Sequence, residues 1–251
     1  MKIGITGING FIGSALANKL NDGGNEIYSY PRPDLDKLFL FGSPSSDIIF
    51  KQNIDYCFEE TIGSFLNAVQ FCRDHDIKLI WPSSATVYNK ATLYSRAKAA
   101  CEEIMLAYGG DILGLRIFAG YGPGEAHKGE YASIIYQFCK KIKAGERPVI
   151  FGDGTQTRDF IYIDDIVENI LKVDLESDLD PKTPFLVDIG SGKSPTFNEI
   201  AFYINQALRT EIQPIYKSQP KSYIKETVCL NPVPTKVSLQ EGIKRILCEL
   251  Q

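Results

Sequence analysis

The chain has 251 residues, 44% of them apolar and 23% charged, with a formal net charge of -4. That length can bury a substantial core, in one large domain or two closely integrated lobes, and the composition is that of an ordinary soluble globular protein. The negative balance offers no general attraction to nucleic acid or an anionic membrane, which leaves only a local basic pocket for a diphosphate. Six cysteines, at 57, 72, 101, 139, 229 and 248, form no CxxC pair and have no histidine partners at metal spacing, so reduced intracellular thiols and no metal site are expected. The start reaches Gly7 too soon for the apolar stretch of a signal peptide, and no run approaches a membrane span. A cytoplasmic protein is expected.

Residues 2–6 are a short apolar run that stops at Gly7, the pattern of a buried strand. Over 11–21, Ile12, Leu16 and Leu20 share one helical face. Residues 27–30 predict a second strand, halted by Pro31 and Pro33, and 37–41 a third, stopped by Gly42-Ser43-Pro44. A helix is predicted over 56–73, with Phe58, Ile62, Phe65, Val69 and Cys72 on its apolar side. Then come a strand over 78–81, a helix over 93–108 and a strand over 112–117. This alternation predicts an α/β fold, a Rossmann-type, doubly wound, mainly parallel sheet covered by helices on both faces. Beyond Gly120 the pattern gives a helix over 130–143, a strand over 185–189 and helices over 198–208 and 239–248. No internal repeat is visible.

Gly7, Gly10 and Gly13 are spaced GxxGxxG between the first strand and the first helix. Glycines there permit a tight turn, close backbone approach and packing of helix on strand, so that a diphosphate can meet the helix N-terminus. Gly7, Gly10, Phe11, Ile12 and Gly13 are therefore expected to bind a dinucleotide, together with Phe41 and Gly42 at the end of the third strand. The second strand usually supplies the reader of the adenosine ribose. Here Ser29-Tyr30-Pro31-Arg32 contains no acid before Asp34. Ser29 and Arg32 join the cofactor set, as do Tyr94 and Lys98, with Arg32 expected to clamp a 2′-phosphate. NADP is accordingly favoured, with NAD as the alternative.

Residues 81–88, Trp-Pro-Ser-Ser-Ala-Thr-Val-Tyr, leave the end of a strand, where ligands collect in open α/β sheets. Ten residues after Ser84 comes Tyr94-Ser95-Arg96-Ala97-Lys98, and positions i and i+4 share a helix face. A free phenol titrates near ~10 and is a poor base at neutral pH. An ammonium ~4 Å away, at an effective permittivity of ~20, is worth ~4 kcal/mol, enough to lower the phenol's pKa by up to ~3. Tyr94 could then exchange a proton with a substrate hydroxyl while nicotinamide exchanges hydride at the same carbon, with Ser84 orienting the oxygen. A second copy, Tyr136 to Lys140, lacks this context and reads as ordinary helix.

These residues resemble the extended short-chain dehydrogenase/reductase family, the NAD-dependent epimerase/dehydratase group. Residues 7–14 look like its phosphate turn, 83–88 its serine motif and Tyr94 with Lys98 its Tyr/Lys pair. The block 149–162, Val-Ile-Phe-Gly-Asp-Gly-Thr-Gln-Thr-Arg-Asp-Phe-Ile-Tyr, resembles its nucleotide-sugar region. The resemblance implies a nucleotide-diphosphate sugar as substrate, met by Ser84, Thr86, Ala119, Phe151 and Arg158, with Arg158 on the diphosphate. It also implies a dinucleotide core over 1–120, to which 159–190 return, a sugar-binding lobe from 121–158 and 191–251, and a homodimer. Asp164 or Asp165 is expected to cap a helix entered at Ile166.

Three departures matter. Between the strands at 27–30 and 37–41 there is no room for the family's helix–strand–helix unit. Ala119 stands where relatives often carry asparagine, and the stretch from Ser84 to Tyr94 is short. Ala85-Thr86 replaces the Asp-Glu pair of 4,6-dehydratases, which leaves a C4 epimerase with tightly bound NAD or an NADPH-dependent keto-sugar reductase. The thin adenosine side and Arg32 favour the reductase; a non-catalytic dinucleotide-binding protein is the third reading.

Overall fold

The computed structural model describes residues 1–251 apart from Ser29, Pro31, 177–182, 220–223 and Gln251. Residues Met1–Ile117 and Val167–Asp188 form one unit, and Phe118–Ile166 and Ile189–Gln251 a second. The segment 159–190 is thus divided, its first eight residues clustering with the second unit.

In the first unit, β1 (Lys2–Thr6), β2 (Glu26–Tyr28), β3 (Lys37–Leu40), β4 (Lys78–Ser84), β5 (Ile112–Ile117) and β9 (Phe185–Ile189) form one sheet in the order β2-β1-β3-β4-β5-β9. The pairs β1–β2, β1–β3, β3–β4 and β4–β5 are all parallel. The sheet is Rossmann-like, and among the described residues no strand lies beyond β2. The helices of this unit are α1 (Phe11–Asp22), α2 (Asp47–Gln52), α3 (Ile54–Phe58), α4 (Ser64–Asp74) and α5 (Leu93–Tyr108). Leu38, Leu40, Leu79 and Trp81 project from the strands into a core closed by Phe65, Val69 and Cys72 of α4 and Cys101 and Met105 of α5. The intervening Phe39 and Ile80 are buried too, since a sheet covered on both faces needs apolar residues on both.

Two expectations need correction here. The strand expected to end at Trp81 continues to Ser84, with Pro82 opposite Leu115 and Ser84 opposite Ile117. Proline withholds an N–H but not its carbonyl, and near a strand end the lost ladder bond is tolerated. The single helix expected over 56–73 is two, α3 and α4, separated by a π-helical turn at Glu59–Gly63. That wider turn lets the Thr61 carbonyl accept the Cys101 thiol at 3.6 Å.

In the second unit, β6 (Ala119–Tyr121) pairs with β8 (Phe160–Tyr162), and α6 (Ile134–Lys143), β7 (Val149–Phe151), α8 (Phe197–Leu208), β10 (Ile215–Lys217) and α9 (Leu239–Glu249) complete the fold. β7 and β10 pair in parallel. α6 starts later than the predicted 130 because Gly129 breaks the helix and Ser133 caps it through the Tyr136 amide. α7 runs over Ile163–Glu176, so Asp164 and Asp165 lie in its first turn and do not cap a start at Ile166. Asp165 is buried and accepts the backbone N–H groups of Lys236 and Val237 at 2.9 and 3.1 Å. No helix among the described residues is long and apolar enough to cross a membrane.

Candidate functional site

The glycine turn follows β1 directly. Gly7 adopts φ +66°, a conformation that disfavours every side chain. A Cβ on Gly13 would lie 2.1 Å from the Gly7 carbonyl oxygen, and one on Gly7 would lie 2.7 Å from the backbone of Phe41 and Gly42. The Gly42 amide in turn donates to Thr6 Oγ1 at 2.9 Å. The structure therefore brings Gly7, Gly10, Phe11, Ile12 and Gly13 together with Phe41 and Gly42 at the ends of β1 and β3. Gly10 precedes α1, no side chain caps that helix start, and the helix N-terminus meets the turn where an anion is favoured. The bare backbone there fits the diphosphate of a dinucleotide.

Arg32 is elsewhere. Its Nε and Nη2 both donate to the Asp34 carboxylate at 2.9 Å, and its guanidinium lies 3.9 Å from the centre of the Tyr28 ring. Asp34 also pairs with Lys2 at 2.9 Å. Lys2 opens β1 while the glycine turn follows its end, so Arg32 is held beside the opposite end of the strand. The placement expected of a 2′-phosphate clamp is not what the structure provides. Its two cationic partners hold the Asp34 carboxyl well below the usual carboxylate range. Ser29 lies outside the described residues.

The end of β4 carries the chemistry-bearing groups. Ser84 is buried, and its Oγ is 3.0 Å from Thr86 Oγ1 and accepts the Thr86 amide at 3.3 Å. It thereby caps the short 3-10 turn at Ala85–Tyr88. α5 starts soon after, fixed by a reciprocal cap between Thr92 and Ser95. Tyr94 lies in its first turn, with its ring edge-on to Phe50 of α2 at 5.7 Å. Burial pushes the Tyr94 phenol above its ordinary value, while a hydrogen bond with Ser84 works against that rise. Lys98, one turn on, is 3% exposed. Its Nζ donates to the Pro82 carbonyl at 2.8 Å and to Ser43 Oγ at 3.1 Å. Desolvation lowers its pKa from 10.5 to about 8.

These values revise the electrostatics expected from the sequence. The ammonium was expected to pull the phenol down, yet burial governs both groups, and it is the Ser84 hydroxyl that favours the phenolate. Sequence reasoning also missed Ser43, the Pro82 carbonyl, and a charged cluster beneath the site. Glu102 receives Ser83 and Arg116, and Arg116 reaches Tyr88. One signal was available: Glu102 continues the Tyr94–Lys98 stripe at helical spacing, although a carboxylate on a buried face looks anomalous in isolation.

The remaining candidates belong to the second unit. Ala119 opens β6 and donates its amide to the Asp159 carbonyl at 3.0 Å. Phe151 ends β7, is exposed, and gives its carbonyl to Gln156 Nε2 at 2.8 Å. Arg158 Nη1 and Nη2 donate at 2.6 Å to the carbonyls of Thr157 and Ile224, and its guanidinium lies 5.8 Å from the Phe197 ring centre. Asp159 beside it is fully buried and takes the amides of Ser191, Gly192 and Cys229 together with the Ser191 hydroxyl. His127 contacts the nearby Gly124 carbonyl through Nδ1. Tyr136 of the second Tyr/Lys copy is a buried core residue of α6.

Comparison with protein families matches residues 34–185 to the NAD dependent epimerase/dehydratase family. The chain is 28% identical to an ADP-L-glycero-D-manno-heptose-6-epimerase of Cupriavidus pinatubonensis, over 83% of this chain and 78% of that one. Its fold matches UDP-N-acetylglucosamine 4-epimerase from Methanobrevibacter ruminantium M1, solved with UDP-N-acetylmuramic acid. The TM-score is 0.85 at 25% identity, covering 99% of this chain and 98% of the other. UDP-glucose 4-epimerase from Thermus thermophilus, solved with NAD, gives a TM-score of 0.83 at 19% identity, covering 100% and 99%. At that identity the likeness speaks for the fold alone.

Proposed function

The chain belongs to the NAD dependent epimerase/dehydratase family, and on that premise we propose that it inverts one carbon of a nucleotide-diphosphate sugar. The observation that carries this reading is the convergence of Ser84, Tyr94 and Lys98 at the carboxyl end of β4, with Lys98 tied to Ser43 just beyond β3. The glycine turn lies at the same end of β1, which pairs with β3 in parallel.

When bound, NAD would supply reversible hydride exchange at the carbinol carbon, held by the glycine turn. Tyr94 accepts the hydroxyl proton as the C–H bond is lost and gives it back when the C–H bond re-forms. Ser84 orients the reacting oxygen, and its hydrogen bond favours the phenolate that Tyr94 must be before it takes up that proton. Lys98 supplies the positive charge of this buried corner, its pKa lowered to about 8 by desolvation. Gly7 to Gly13, with Phe41 and Gly42, give the backbone surface for the diphosphate of the cofactor. Arg158, with its five-donor guanidinium, is proposed to meet the diphosphate of the substrate, and Thr86, Ala119 and Phe151 to line the sugar's path.

Relatives that are epimerases support this reading over the keto-sugar reductase favoured on sequence. The placement of Arg32 beside Lys2 removes the main argument for NADP, so NAD is the proposed cofactor. The test is incubation of purified protein with ADP-heptose and UDP-N-acetylglucosamine, following stereochemistry by NMR. Conversion of one epimer to the other without net cofactor consumption is expected. Stoichiometric oxidation of added NADPH, with a reduced sugar as product, would instead establish a reductase.

A further inference from the structure

Three successive residues of β4 meet three residues of one stripe on α5. The Pro82 carbonyl accepts from Lys98 at 2.8 Å and Ser83 Oγ donates to Glu102 Oε1 at 2.5 Å, while the Ser84 hydroxyl lies near enough to the Tyr94 phenol to favour its phenolate. Tyr94, Lys98 and Glu102 follow one another at intervals of about one helical turn. Two rungs of this ladder end in the groups assigned to proton handling. The third ends in a carboxylate that is 6% exposed and takes no part in that chemistry.

Glu102 is clamped from a third element. Arg116 of β5 donates to Oε1 through Nε at 2.9 Å and to Oε2 through Nη2 at 2.7 Å, a planar two-point contact. Its Nη1 donates to Tyr88 Oη at 3.0 Å, and Tyr88 donates to Asp188 at 2.7 Å. A buried carboxylate is costly unless fully paired, and a bidentate guanidinium satisfies it in one geometry only. We propose that Glu102, clamped by Arg116, is a positioning residue that sets the register of α5 on β4 and thereby the approach of Tyr94 to Ser84. The proposal rests on the reading of Tyr94 and Ser84 given above. A helix slipped by one residue moves about 1.5 Å along its axis and turns by about 100°. A displacement of about 1 Å is enough to cost a reaction about 100-fold.

Arg116→Lys keeps the charge and removes the two-point contact, whereas Ser83→Ala leaves the ion pair and removes one rung. The Tyr94 phenol is titrated by NMR in tyrosine-labelled protein, with Tyr94→Phe identifying its signal, and turnover is measured alongside. Loosening the Ser84 contact is expected to raise the Tyr94 pKa, since that bond favours the phenolate. In parallel, kcat falls about 10-fold with little change in KM. If both variants lose only thermal stability while the Tyr94 titration and kcat stay put, Glu102 is a fold brace and the proposal fails. A shift seen in Glu102→Gln but in neither of the other two would mark a through-space charge effect and equally overturn it. If Arg116→Lys fails to fold, Ser83→Ala decides alone. Should the unaltered protein convert no nucleotide sugar, the functional reading fails, and the titration still decides the positioning claim.

Discussion

Lys98 Nζ donates at once to the Pro82 carbonyl of β4 and to Ser43 Oγ beyond β3, at 2.8 and 3.1 Å. The ammonium is therefore a cross-tie between two strand ends, held in place by burial that lowers its pKa to about 8. Between there and 10.5 the unfolded chain retains a proton that the folded chain has released, so stability rises with pH across that window. Below it, the buried charge exerts its full cost, on the order of 3 kcal/mol. Denaturant unfolding of the wild type and Lys98→Met, at about pH 7 and about pH 9.5, isolates this contribution from the other titrating groups. The wild type should gain about 2 kcal/mol on the variant over that interval; parallel profiles would refute the buried ammonium.

Tyr94→Phe keeps the ring against Phe50 and removes only the hydroxyl. Epimerisation should fall about 100-fold or more, with the unfolding midpoint and NAD affinity nearly unchanged. Turnover at the wild-type rate would dismiss Tyr94 as the acid/base.

Gly13→Ala places a methyl carbon 2.1 Å from the Gly7 carbonyl oxygen, a backbone atom with little freedom to retreat. Loss of dinucleotide binding is expected in titration calorimetry, together with destabilisation of about 1–3 kcal/mol from overpacking. Retained affinity would move the cofactor away from this turn.

The parts of the molecule legible in sequence are those set by local pattern. The helix expected over 93–108 is α5, Leu93–Tyr108, because Thr92 caps it and its buried stripe repeats regularly. The strands expected over 112–117 and 185–189 likewise match β5 and β9. What escaped depends on partners remote in sequence. Arg32 follows the second strand as a clamp would, but Asp34, itself paired with Lys2, draws it to the wrong end of β1. Pro82 reads as a strand terminator, yet the ladder with β5 carries β4 past it. Glu102 becomes intelligible only when Ser83 and Arg116 meet it.

Arg32→Ala should leave the ratio of NADH to NADPH affinity within about twofold, because its guanidinium is engaged by Asp34 and not by the cofactor pocket. Fluorescence titration with both nucleotides measures this. A selective loss of NADPH binding by about tenfold would reinstate Arg32 as the clamp.

Asp159 is fully buried and accepts three backbone amides and one hydroxyl from Ser191, Gly192 and Cys229. Asp159→Asn presents an NH2 group to donors and should lower stability by about 3 kcal/mol. Chemical denaturation reads the loss directly. An unaltered midpoint would show that these segments hold without it.

The near-contact of Gly7 with Gly42 makes two remote stretches of chain mechanically inseparable. A Cβ at Gly42 would come within 2.9 Å of the Gly7 nitrogen, just as one at Gly7 would strike the Gly42 amide. Enlarging either residue displaces the other, so engineering of this turn must treat the pair as a single hinge-free joint. A library that varies one position while fixing its counterpart will recover the original glycine.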